Sequence, residues 1–335
     1  MPAATDPEKL AAAVKAGDRA ALARAITLVE SRREEHRARA ERLLAALLPA
    51  TGGALRLGIS GAPGVGKSTF IEALGLRAVA AGKRLAVLAI DPSSKRGGGS
   101  ILGDKTRMAE LARAPAAFIR PSPAGGALGG VARRTREAIL LAEAAGFDLV
   151  IVETVGVGQS ETDVAELVDL FLLLIAPAGG DELQGLKRGI VELADLVLVN
   201  KADGDLEPAA RRAAADYAHA LALLRADGRR PRPEVIAISA LERRGLDAVE
   251  RALDARRKSM AESGELRRRR SGQAKAALWA ELAEALMEEL KQDARVKARL
   301  PALEAAVKAG ALTPAAAAQA ALKGLLKPVR RRAAT

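Results

Sequence analysis

The chain contains no cysteine. That excludes disulfides, a thiolate nucleophile and every cysteine-ligated metal site. Histidine is nearly as scarce. His36 and His219 lie far apart in polar helical sequence with no ligand spacing around either, so both read as solvated helix positions. Aromatic residues are 2% of the chain, which removes most of the stacking surface a nucleic-acid groove relies on. No apolar stretch is long enough to span a bilayer. The N-terminus, Met-Pro-Ala-Ala-Thr-Asp-Pro-Glu-Lys-Leu, has neither the basic start and apolar core of a secretory signal nor the Arg-rich, acid-poor character of a transit peptide. The expectation is a bacterial cytoplasmic protein with no membrane partner.

What is present fits a globular chain: 335 residues, 49% hydrophobic and 28% charged, enough for one large α/β core with helical additions. The net charge of +12 is unevenly placed. Residues 51–255 carry 26 basic and 26 acidic groups, whereas residues 256–335 carry 18 and 8. The excess is concentrated in runs such as Arg267–Arg270 and Arg330–Arg332, with Trp279 as the sole aromatic near the first. Without interleaved aromatics, these runs fit a solvated or partner-facing helix better than a nucleic-acid surface.

Three segments are expected. Residues 1–50 form an N-terminal helical segment: Asp6-Pro7-Glu8 resembles a cap followed by proline, Gly17-Asp18 a break and new cap, and Leu22, Ile26, Val29, then Leu43, Leu44, Leu47 and Leu48, give helical stripes. Residues 51–255 alternate short apolar runs with helical stretches, the pattern of a mostly parallel sheet covered by helices on both faces. The expected strands are Arg56–Ser60, Leu85–Ile90, Ala117–Arg120, Leu149–Glu153, Leu170–Ile175, Leu196–Asn200 and Val235–Ser239. Residues 256–335 return to helix. There Leu278, Leu282, Leu286 and Leu290 recur every four residues with Trp279 and Met287 beside them, a stripe suited either to packing on its own domain or to a homodimer contact.

Two motifs carry the chemistry. Gly61-Ala62-Pro63-Gly64-Val65-Gly66-Lys67-Ser68, followed by Thr69, fits G-x-x-x-x-G-K-[ST], a turn between strand and helix whose N–H groups wrap a nucleotide's phosphates. Its glycines permit close approach of backbone to anion, Lys67 is placed to reach the β- and γ-phosphates, and the Ser68 hydroxyl to bind Mg²⁺. Asn200-Lys201-Ala202-Asp203 fits the guanine signature. The Asp203 carboxylate can accept both the ring N–H and the exocyclic amine of guanine, whereas adenine offers an acceptor at that ring position. Asn200 and Lys201 would brace the loop and cover the base, and Ser239-Ala240-Leu241 would clip the guanine carbonyl through its backbone. Both motifs close apolar runs, where an open parallel sheet places its ligand. Together they imply a P-loop GTPase.

Magnesium requires hard oxygen ligands. Asp91 and Glu153 each close an apolar strand, and Asp104 lies in a glycine-rich loop, so these three join Ser68 as metal candidates. Hydrolysis also needs an oriented water. Val157 follows Gly156, where small GTPases place glutamine, and Gln159 stands two residues further on. The expectation is slow intrinsic turnover accelerated by a partner, with Lys187 and Arg188 as candidate charge stabilisers.

These residues resemble one family closely. The glycine-rich loop, Asp91-Pro92-Ser93-Ser94, Ser100-Ile101-Leu102-Gly103-Asp104-Lys105-Thr106-Arg107-Met108, Glu153-Thr154-Val155-Gly156-Val157-Gly158-Gln159-Ser160-Glu161 and Asn200–Asp203 are similar to the MeaB group, as are residues 21–31 and Asp181–Leu193. This group comprises the methylmalonyl-CoA mutase-associated GTPases, also known under the names ArgK and LAO/AO transport ATPase. The resemblance spans nearly the whole chain. It implies a GTP-dependent chaperone of an adenosylcobalamin-dependent acyl-CoA mutase, gating cofactor loading and protecting or reactivating the enzyme. It further implies a homodimer formed through C-terminal helices, with GTP/GDP and Mg²⁺ bound. By the same resemblance, Gly61 to Thr69 hold phosphates, Asp203 the base, Asp91 and Glu153 the metal and switch, Asp104 a first mobile loop, and Asp181–Arg188 an additional switch. The basic runs of the tail bear no family motif.

Two other readings compete. Metallochaperone GTPases share this core but generally carry Cys and His near the nucleotide, which this chain lacks. An ATP-using kinase linked to amino-acid transport is opposed by Asn200–Asp203.

Overall fold

The computed structural model describes residues 6–31, 33–91, 108–123, 128–154, 160–177, 188–224 and 231–323. Seven strands form one sheet: β1 (Leu55–Gly61), β2 (Leu85–Asp91), β3 (Ala117–Pro123), β4 (Leu149–Thr154), β5 (Leu170–Ile175), β6 (Leu196–Val199) and β7 (Glu234–Ala237). Their order is β3-β2-β4-β1-β5-β6-β7, and every pairing is parallel. All seven expected strands are present, with ends displaced by at most three residues, the largest at β3, which continues to Pro123.

The near-continuous apolar character of these strands follows from cover on both faces. In β5, Phe171, Leu173 and Ile175 join one hydrophobic cluster while Leu170, Leu172 and Leu174 join the other. The first cluster is completed by α1 (Pro7–Lys15), α2 (Arg19–Glu30), α3 (Glu34–Leu47), α6 (Leu128–Ala144), α7 (Ser160–Ala165), α8 (Arg188–Leu193) and α9 (Glu207–Leu224). The second takes α4 (Lys67–Ala80), α5 (Ala109–Arg113) and α10 (Leu246–Glu262). Gly58 stands mid-strand in β1 because α7 comes close there: a Cβ would meet Phe171 Cδ2 and Val168 Cγ2 at 2.9 Å and Val164 Cγ1 at 3.0 Å.

The N-terminal helices belong to the core rather than forming a separate body, since Leu22, Ile26 and Leu43 are fully buried in the same cluster as the sheet. The Asp6 carboxylate caps α1 through Glu8 N–H, and Asp18 caps α2 through Ala20 and Ala21 N–H at 2.8 and 3.0 Å. Those two backbone donors hold the Asp18 carboxyl below its ordinary value of 3.8. One part of the expected stripe differs. Helix α3 gives way at Pro49 to the short turn Leu48–Ala50, because proline has no N–H for the helical ladder, and Leu48 stands exposed.

At the amino ends of the strands, aspartates set the loops. Asp148 accepts from Arg84 N–H at 2.8 Å, Asp169 from Arg56 N–H at 2.9 Å, and Asp195 from Phe171 N–H at 2.9 Å. Two of them also receive the first basic run of the tail. Arg270 donates to Asp169 at 2.8 and 2.6 Å, and Arg269 to Asp195 at 3.0 and 3.2 Å, from helix α11 (Glu265–Gln292). Burial lowers the affinity of both guanidinium groups for their protons, but the bonds to Asp195 and Asp169 outweigh it and leave both above their ordinary value. Half of the Arg267–Arg270 run is thus structural.

By contact density the chain divides into two compact units, Met1–Gln273 and Ala274–Thr335. In the second, α12 (Ala294–Lys308) packs against α13 (Pro314–Leu322), capped by Asp293 and Thr313 respectively. Along the portion of α11 in this unit, Leu278, Trp279, Leu282, Leu286 and Met287 are exposed. Among the described residues, no helix is long and apolar enough to cross a membrane.

Candidate functional site

Strand β1 lies between β4 and β5, at the centre of the sheet. The chain runs from β1 outward to β2 on one side and from β5 outward to β6 on the other, so a crevice opens beyond the carboxyl end of β1. The glycine-rich loop fills this position, leaving β1 at Gly61 and entering α4 at Lys67. Gly61, Gly64 and Gly66 have φ of 150°, 78° and 95°. At Gly66, a Cβ would lie 2.5 Å from Asn200 Nδ2, and at Gly61 it would strike the Leu174 carbonyl oxygen. At Gly64 nothing lies within 4 Å, so the loop crest there is open backbone able to receive a ligand closely.

Val65 is buried beneath the crest, while Pro63, Gly64 and Thr69 are exposed. The buried Lys67 ammonium donates to the carbonyls of Gly61 at 2.7 Å and Ala62 at 3.1 Å, which holds it over the loop. Ser68 donates its hydroxyl to Glu153 Oε1 at 3.1 Å. Glu153 occupies β4 opposite Ile59 of β1, and its carboxylate is buried. A hydroxyl and a carboxylate held together beside an anion-binding loop form a hard-oxygen pair suited to Mg²⁺, which takes one or two protein ligands and completes its shell with phosphate oxygens and water.

The second motif sits past β6. Asn200 is buried and joins three segments: its Nδ2 donates to Val65 O at 2.8 Å, and its Oδ1 accepts from Ala240 N at 2.9 Å. One side chain thereby links the glycine-rich loop to the loop after β7. Lys201 has φ of 62°, and Ala202 N–H bonds Ile238 O at 2.9 Å. Asp203 Oδ2 accepts a hydrogen bond from the Ser239 hydroxyl, which also accepts from Glu242 N–H at 3.0 Å. Leu241 is 76% exposed at the rim. Arg244 donates to Ala202 O at 2.9 Å and pairs with Glu207. Glu207's carboxyl is held below its usual range, first by the Arg211 hydrogen bond and then by Arg244. The Glu207 bond in turn raises the Arg244 guanidinium.

The structure therefore assembles Gly61–Thr69, Glu153, Asn200–Asp203 and Ser239–Leu241 at one end of the sheet. Asp91 ends β2, but its side chain lies outside the described residues, as do Asp104, Lys187, the 155–159 segment and most of Asp181–Arg188. Three polar residues received no role from the sequence: Ser60, Thr154 and Glu161, all buried, with Ser60 hydrogen-bonded to each of the other two. Their signal was polar side chains bordering strands that are otherwise wholly apolar.

The family model described as Methylmalonyl Co-A mutase-associated GTPase MeaB matches residues 22–295. The chain belongs to the MeaB family. It is 57% identical over 284 residues to a Caulobacter vibrioides protein named as a GTPase, covering 84% of this chain and 86% of the relative. It is 52% identical over 260 residues to GTPase ArgK of Escherichia coli, covering 78% of each. A mouse relative, Methylmalonic aciduria type A homolog, mitochondrial, is 50% identical over 284 residues, covering 81% of this chain and 68% of that protein. A crystal structure of LAO/AO transport system kinase matches with a TM-score of 0.76 and 39% identity, covering 96% of this chain and 98% of that one. This MeaB-family protein is a P-loop GTPase and binds guanine nucleotide.

Proposed function

We propose that this MeaB-family GTPase is a GTP-dependent chaperone of an adenosylcobalamin-dependent acyl-CoA mutase, most directly methylmalonyl-CoA mutase. It gates cofactor loading and protects or reactivates its client. The observation that carries this reading is the match to a mutase-associated family model over residues 22–295, supported by the name of the mouse relative. The protein works in the bacterial cytoplasm as a homodimer joined through residues 256–335, where α11 displays its apolar stripe.

In this reading the N–H groups of Gly61 to Thr69 cradle the phosphates, with Lys67 as the cation on the β- and γ-phosphoryl oxygens. Asp203 selects guanine, Asn200 and Lys201 hold and cover it, and Ser239–Leu241 offer backbone donors to its carbonyl. Ser68, Glu153, Asp91 and Asp104 would hold Mg²⁺; once bound, the ion neutralises charge developing on the transferred group. Val157 has no polar group with which to orient water, so isolated turnover is slow. A client that reorganises the neighbouring segments accelerates it, with Lys187 and Arg188 as the charge stabilisers.

The name LAO/AO transport system kinase, borne by a relative of this same fold, suggests instead a kinase linked to transport that passes phosphate to an acceptor. The two readings differ in where the γ-phosphate goes. The deciding measurement is GTP turnover and phosphate release, alone and with a cobalamin-dependent mutase from the same cell. The expected result is turnover well below about 1 s⁻¹ alone and strong acceleration by the mutase, with phosphate released to water. Fast turnover alone, no response to the mutase, or phosphate retained on an acceptor protein would overturn the proposal.

A further inference from the structure

The hydroxyl of Ser60 lies at the last position of β1 before Gly61, and it has two partners. It donates to Glu161 Oε1 at 3.2 Å and accepts from Thr154 Oγ1 at 2.9 Å. Ser60 and Thr154 are fully buried, and Glu161 is 1% exposed. Thr154 is the residue immediately before the 155–159 segment, and Glu161 is the second residue after it. The two flanks of a five-residue segment thus converge on one hydroxyl.

We propose that Glu161 is a positioning residue of the GTPase centre: through Ser60, which also holds Thr154, it fixes the carboxyl ends of β1 and β4, the strands that carry the glycine-rich loop and Glu153. The same clasp reaches the catalytic side chains. The Gly61 carbonyl, next in the chain after Ser60, accepts from Lys67 Nζ at 2.7 Å, and Glu153, next to Thr154, accepts from Ser68 at 3.1 Å. A shift of Ser60 is therefore felt at Lys67, and a shift of Thr154 at Glu153. Burying a carboxyl at 1% exposure is costly and would be cheaper with an apolar residue if packing alone were at stake. The inference concerns the GTPase centre itself and holds whichever client the protein serves.

The test uses the full chain without a client, comparing Glu161→Ala, Glu161→Gln, Ser60→Ala and the near-isosteric Thr154→Val. Glutamine keeps an oxygen acceptor for the Ser60 hydroxyl, and Ser60→Ala removes one oxygen without adding volume. The expected result is that Glu161→Ala and Ser60→Ala each lower kcat for GTP by about tenfold or more, while KM and GDP affinity move by less than about threefold. Glu161→Gln should recover most of kcat, and the Ser60→Ala/Glu161→Ala pair should be no worse than the poorer single variant, because both break one linkage. Wild-type kcat in Ser60→Ala and Glu161→Ala would overturn the proposal. So would losses of kcat, affinity and thermal stability in parallel that glutamine fails to rescue. Should Glu161→Ala not fold, Ser60→Ala and Glu161→Gln decide alone.

Discussion

Asp203 shows how much of the site depends on one carboxylate in the right place. Its Oδ2 is held by the Ser239 hydroxyl, so its orientation toward a base is set before any ligand arrives. Asp203→Asn exchanges an acceptor for a donor at the position where guanine presents N–H groups. The expected outcome is a loss of GTP affinity of roughly 100-fold or more, because a polar group in the site is left mispaired. Affinity for XTP should rise in return, since xanthine places a carbonyl where guanine has its amine. Competition titration with the two nucleotides checks this, and an unchanged preference for GTP would remove Asp203 from the base site. The residue types at this scale were legible from the sequence, because G-x-x-x-x-G-K-[ST] and Asn-Lys-x-Asp each encode a local turn plus a few polar atoms. Asn200 was legible only as a brace. That it joins Val65 to Ala240, across segments far apart in the chain, required the folded sheet.

Among the elements, helix α11 is the one whose role changed most on folding. Its Arg267–Arg270 run reads in the sequence as a uniform basic patch. Arg269 and Arg270 instead turn onto Asp195 and Asp169 at the amino ends of β6 and β5, while Arg268 donates to the nearby Ser263 carbonyl at 3.0 Å. Asp169 is 1% exposed and also receives Arg56 N–H, so removing it leaves a backbone donor unpaired and a half-buried guanidinium without its carboxylate, held only by the Gly52 and Ala54 carbonyls. Asp169→Ala is expected to cost about 3 kcal/mol of unfolding free energy, discounted from the upper part of the buried-pair range because Arg270 retains some solvent. Denaturant titration measures this, and the denaturant midpoint should fall without a change in GTP preference. A loss under about 1 kcal/mol would show that the pair is replaceable by water. The strands themselves were legible because apolar runs such as Leu170–Ile175 are too short for helices and too continuous for surface segments.

For the whole molecule, the open question is what meets the stripe of Leu278, Trp279, Leu282, Leu286 and Met287. Large apolar side chains in a row are uncommon on a chain that stays alone. If this stripe joins two copies, Leu286→Glu buries a charge at the contact and should shift the protein from dimer to monomer in sedimentation at micromolar concentration. GTP turnover per chain, measured without a client, should stay within about twofold, since the nucleotide loops lie in the other compact unit. An unaltered sedimentation coefficient would assign the stripe to another use.

The sequence by itself determined the architecture and the chemistry. Strand and helix periods are local, and the nucleotide motifs are contiguous stretches whose spacing is fixed by a single turn. It also determined the family, since Ser100–Met108 and Glu153–Glu161 are long strings. Only the tertiary structure decided how the ends of those strings are held. Ser60, Thr154 and Glu161 come together because β1 and β4 run side by side in the register that pairs Ile59 with Glu153, while α7 packs close over Gly58. Tertiary packing likewise made Arg269 and Arg270 structural, because the neighbouring strands β5 and β6, far from α11 in the chain, present Asp169 and Asp195 together at their amino ends. Contacts of this kind depend on which strands become neighbours, and no local period or motif records that.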